Sequence, residues 1–134
     1  MTQEIGFELE MSEEHDAAIK RVTEALKNEG FGVLTSIDIR ATLQEKIGED
    51  FRPFTILGAC NPQLAHRALC ENPAVGLMLP CNVTVEASET GSLVRFINPE
   101  AMMSTFTADG NDAMVALARD ARERLLRVRD TLAT

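Results

Sequence analysis

Residues 76–87 and 92–98 read as two strands, and little more than Thr90-Gly91 separates them. So short a turn cannot hold the crossover that parallel strands need, so the two runs are antiparallel. That junction argues against a doubly wound parallel sheet. Pro80 is expected to interrupt the first run, because proline cannot donate to a strand ladder.

The rest of the chain switches between periods of two and 3.6. In residues 4–10 apolar and acidic positions alternate, so Ile5, Phe7 and Leu9 share one face of a strand. Ser12 is the expected cap of a first helix, with Glu13 and Glu14 suiting its dipole. Ile19, Val22, Ala25 and Leu26 continue it, and Gly30 closes it. Residues 31–37 read as a strand. Asp38 caps a short helix with Ile39, Leu43 and Ile47 on one stripe, ended by Gly48.

Residues 53–60 read as a third strand. Asn61-Pro62 then opens a helix, as a cap followed by proline in the first turn. Its inner stripe is expected to be Leu64, Ala65, Ala68 and Leu69, and Asn72-Pro73 ends it. Asp109-Gly110-Asn111 leads into a long amphipathic helix through Met114, Leu117, Ala118, Ala121, Leu125, Val128 and Leu132. The expected fold is α+β, one domain over residues 1–134. It is a two-layer arrangement with a mostly antiparallel sheet and helices packed on one face.

Charge and hydropathy narrow the function classes. A net charge of −8 offers no basic stripe, so neither nucleic acid nor an anionic membrane surface is an expected partner. Apolar runs are only a few residues long, against about 20 for a spanning helix. The start, Met1-Thr2-Gln3-Glu4-Ile5, lacks the basic and apolar segments of a secretory signal, so a cytoplasmic address is expected. The three cysteines, Cys60, Cys70 and Cys81, are then expected to be thiols.

No G-x-S-x-G, P-loop, G-x-G-x-x-G or H-E-x-x-H pattern occurs, so the chain does not read as a recognisable enzyme. What stands out is a repeated dipeptide, Cys60-Asn61 and Cys81-Asn82. Asparagine both donates and accepts, which suits orienting a ligand. Two thiols at strand ends suit redox or metal chemistry, with core packing as the competing reading. Cys60, His66, Cys70 and Cys81 would make a Cys₃His zinc set if folding joined them. Arg52 is a candidate for gripping an anion or for a salt bridge. His15, beside Glu13 and Glu14, is expected to be solvated. Met102, Met103 and Phe106 suit a core, a contact surface or a pocket lining.

Two segments carry a family resemblance. One is Asp50-Phe51-Arg52-Pro53-Phe54-Thr55-Ile56-Leu57-Gly58-Ala59-Cys60-Asn61-Pro62, the other Gly76-Leu77-Met78-Leu79-Pro80-Cys81-Asn82-Val83. Together with Gly30-Phe31-Gly32-Val33-Leu34 they resemble the family of domain of unknown function 302. The resemblance implies a β-α-β-β-α-β-β-α domain similar in layout to TATA-binding-protein-like folds, and a homodimer. It implies no activity and no catalytic residues, and a shared layout would not imply DNA binding.

The expectation is therefore a homodimer that binds a small ligand or partner where Arg52, Cys60, Asn61, Cys81 and Asn82 converge. No cofactor is expected; a metal would belong to the Cys60 and Cys81 pair or to the Cys₃His set. Thiol redox chemistry at Cys60 and Cys81, and a purely structural or interaction role, compete with ligand binding.

Overall fold

The alternating residues near the start form β1 (Gly6–Met11) in the computed structural model, which describes residues 4–108 and 110–133. Asp109, expected in the approach to the last helix, lies outside the described residues. Next come α1 (His15–Asn28), β2 (Gly32–Asp38), α2 (Ile39–Ile47), β3 (Phe54–Cys60) and α3 (Pro62–Glu71). A 3₁₀ segment (Pro73–Met78) leads to β4 (Cys81–Ser88) and β5 (Gly91–Ile97). Two one-turn helices, α4 (Pro99–Met102) and α5 (Ser104–Thr107), precede α6 (Asp112–Leu132). The order extends the implied one by α2, α4 and α5.

Several ends form for the reasons expected. Asn61 Oδ1 accepts from the Leu64 N–H at 3.2 Å, and Asp38 Oδ1 accepts from the Ala41 N–H at 2.9 Å. Gly30 and Gly48 close their helices at φ of 86° and 68°, where glycine carries no Cβ penalty. Two expectations fail. The cap of α1 is Glu14, whose carboxylate accepts from the Ala17 N–H at 3.0 Å, rather than Ser12. The strand expected from residue 76 starts at Cys81. Asn72 Oδ1 accepts from the Ala74 N–H, so Asn72-Pro73 both ends α3 and starts the 3₁₀ turn.

The five strands form one antiparallel sheet in the order β1-β5-β4-β3-β2. Register puts Phe7, Leu9, Val94, Phe96, Val83, Val85, Leu57 and Ala59 on one face. There they pack against Val22 and Leu26 of α1 and Leu125, Val128 and Leu132 of α6. This is the two-layer α+β fold that the pattern predicted. At about 1.5–3 kcal/mol for each fully buried aliphatic or phenyl side chain, the shared face is the main source of stability. The opposite face carries Glu8, Arg95, Thr84, Glu86, Asn82 and Ile56. α2 buries none of its residues. Edge strand β2 is exposed along most of its length, Leu34 and Ile37 included.

Candidate functional site

One end of the sheet holds most of the expected site. Cys81, the first residue of β4, pairs in register with Ala59, and both are buried. Cys60 follows Ala59 at the end of β3 and is half-buried. The two thiols therefore sit on neighbouring strands, and neither forms a disulfide. Above them α3, α4 and α6 leave a cavity of about 50 Å³, bordered by Cys60, Cys81, Leu64, Met102, Met103 and Ala118 among others.

Burial, and then the proximity of Cys60, pushes the Cys81 thiol up to about 12. Burial also raises Cys60. Both are neutral thiols at neutral pH, the reverse of an activated nucleophile.

Asn61 borders the cavity, but its amide oxygen and nitrogen each already bond to backbone. Besides capping α3, its Nδ2 donates to the Glu29 carbonyl at 3.4 Å, and Arg124 Nη1 donates to the same carbonyl at 3.2 Å. The side chain thus ties the end of α1 to α3 and α6. A Cβ at Gly30 would stand 2.9 Å from this Nδ2, so glycine is required there both for space and for its positive φ.

The other expected members do not converge here. Asn82 pairs with Gly58, is exposed and lies on the open face, because successive strand residues point to opposite sides. Arg52 Nε donates to Glu86 Oε2 at 2.6 Å, and Arg95 donates to the other oxygen. Glu86 is five residues along β4 from Cys81, about 17 Å at the usual rise. Arg52 is therefore a salt-bridging residue at the far end of the sheet, and its guanidinium also lies over the Phe51 ring at 4.5 Å. Burial would raise the Glu86 carboxyl, but the hydrogen bonds from Arg52 and Arg95 outweigh it and hold it below its ordinary value.

The Cys₃His set is not assembled. Leu64 and Ala68 form the buried stripe of α3, so His66 and Cys70 fall on its exposed side, 3.6 Å apart and bordering a separate hollow. Leu69, expected inside, is exposed as well. Among the described residues no three His, Cys, Asp or Glu side chains are grouped to hold a metal. His15 is not simply solvated, since its Nε2 lies 3.0 Å from the hydroxyl of buried Thr55.

Met102 and Met103, offered by the sequence as a core, a contact surface or a pocket lining, do line the cavity; the helix that carries them was not expected. They reach the cavity because Asn98 caps α4, accepting from the Glu100 N–H at 3.0 Å. The signal was present: Asn98-Pro99 repeats the Asn61-Pro62 start of α3.

The model of the family described as "Domain of unknown function DUF302" matches residues 7–132. The chain belongs to the DUF302 family. A solved structure, the uncharacterized conserved protein DUF302 from Bacillus stearothermophilus, is 32% identical, with a TM-score of 0.86 over 97% of this chain and 99% of that one. No curated protein matches the chain. DUF302 membership thus fixes family and fold and brings no reaction or ligand with it. No helix among the described residues is long and apolar enough to cross a membrane.

Proposed function

We propose that this DUF302 protein is a non-catalytic, cytoplasmic homodimer that binds a small ligand in the cavity bordered by Cys60, Asn61 and Cys81. The observation that carries the reading is the cavity itself, an apolar space at the point where both Cys-Asn segments meet the helical layer. Neutral thiols favour binding over nucleophilic or redox chemistry. Free thiols also suit a reducing compartment. With its polar atoms engaged by backbone, Asn61 serves to hold the walls rather than to orient the ligand.

The dimer half of the proposal is supported by β2. Residues 30–37 carry no charge in a chain of net charge −8, and the strand edge is bare. Two such edges can pair without bringing like charges together, whereas the other edge, β1, carries Glu8 and Glu10.

Native mass spectrometry of gently purified protein tests both halves. A dimer with added mass is expected, and Ala118→Leu, which fills the cavity, is expected to lose the added mass. Ala65→Leu, at a half-buried lining position, serves if the first variant misfolds. A bare mass in wild type, or an adduct that survives both variants, would refute the ligand half. A monomer would refute the other.

A further inference from the structure

We propose that the cavity is a site for a soft monovalent metal ion, copper(I) in class, held by sulfur alone. This rests on the cavity being the ligand site. Four sulfur-bearing residues line it: Cys60, Cys81, Met102 and Met103.

Size comes first. Metabolite pockets run to about 300–1,000 Å³, whereas this space is about 50 Å³. A single water needs only roughly 10–15 Å³. The cavity therefore suits a ligand of one or a few atoms.

Lining chemistry comes second. Among the described residues no Asp, Glu, His, Lys or Arg borders the space, and Asn61 is engaged by backbone. Hard cations need oxygen ligands and would find none. Zinc takes thiolate, imidazole or carboxylate, and here it would have to deprotonate both thiols. Thiolate and thioether together select copper(I). Methionine is unbranched and flexible, so Met102 and Met103 can turn their sulfurs toward an ion while the helices stay in place.

Charge comes third. When Cu⁺ replaces the proton of one thiol, a sulfur–copper bond forms, one H⁺ leaves and no electron moves. The product is neutral, which an apolar cavity tolerates far better than a bare cation. Among the described residues Cys60 and Cys81 are the only titratable groups bordering the space, so the released proton comes from one of them.

The test is anaerobic titration of the reduced full-length protein with copper(I) supplied from a chromophoric copper(I) chelator. Methionine methyl carbon signals are followed in parallel. One ion per chain and one released proton are expected. The Met102 and Met103 signals should move, and that of Met11, in the other core, should stay. Cys81→Ala should weaken binding by more than the ~10–100-fold that losing an outer-shell partner costs. The double variant Met102→Leu with Met103→Leu conserves volume and should also weaken it, which keeps the proposal falsifiable if Cys81→Ala misfolds.

Wild-type affinity in Cys81→Ala or in the double methionine variant would overturn the inference. So would loss of binding in Cys70→Ala, which would place the ion at the exposed Cys70–His66 pair. If copper fails while the native mass still shows an organic adduct that Ala118→Leu removes, this inference falls and the small-ligand reading stands.

Discussion

Between the sheet and helices α1 and α6 the interior is built mainly of Val, Leu and Phe side chains such as Val22, Leu26, Val85, Phe96 and Leu125, with Met11, Ala18, Ala25 and Ala59 among them. Beneath α3 it is built of Ala68, Val75, Met103, Met114 and Ala118. The first set is mostly stiff and branched, and it interlocks across two layers. The second pairs the smallest apolar side chain with the most flexible one. Alanine leaves room and methionine fills it loosely, so the second cluster is where a cavity persists. One region holds the fold, and the other can adapt to a guest.

The sharpest way to break that contrast is to truncate each region in turn. Phe96→Ala removes a fully buried ring that stacks on Phe7 at 5.6 Å. It should cost about 3–5 kcal/mol in denaturant unfolding. Met114→Ala removes a fully buried side chain from the smaller cluster. It should cost about 2–3 kcal/mol, because its neighbours can close in more easily. Equal losses would mean that the two regions are equally rigid. Met103→Leu keeps the volume and should stay below about 1.5 kcal/mol.

These regions were not equally legible in the sequence. The main core declared itself through alternation in β1 and β5 and helical spacing in α6, because each stripe faces one partner layer. The roof of the small cluster comes from α4 and α5, each a single turn, too short to show a period. The convergence of Arg52 with the cysteines also failed, because sequence patterns do not set how far along a strand a residue lies from its neighbours' ends. Arg52 and Glu86 meet only through the register that pairs Phe54 with Glu86. Asn82 failed for a simpler reason: it pairs with Gly58 inside the ladder and lies exposed on the open face beside Thr84 and Arg95, away from the cavity.

Away from both clusters, the open face is held partly by charge. Glu86→Gln removes the charge that Arg52 and Arg95 share, and should cost about 1 kcal/mol, since both guanidinium groups are half-exposed and water screens them. The acid side should show the same contact. Unfolded, Glu86 protonates near 4.5; folded, it does so at lower pH. Its contribution is therefore complete above that value and is lost as pH falls below it. Urea melts of wild type and Glu86→Gln should converge as the pH is lowered. Parallel curves would mean that the carboxylate does not matter.

The smallest effect at neutral pH is that of the Cys81 thiol, which is protonated there in the folded and the unfolded chain alike. Its sign is opposite to that of Glu86. The thiol stays protonated in the fold up to about 12, against an ordinary value of 9.0. Stability from this group is thus complete below 9.0 and is lost as pH rises from there toward the folded value. Wild type should weaken at high pH more steeply than Cys81→Ala, and Cys70→Ala, altered at an exposed thiol, should follow wild type. The two ends of β4 would then fail in opposite directions, the Glu86 end in acid and the Cys81 end in alkali. If Cys81→Ala and wild type lose stability alike in alkali, the thiol already meets water in the native state, and its burial in an apolar setting is excluded.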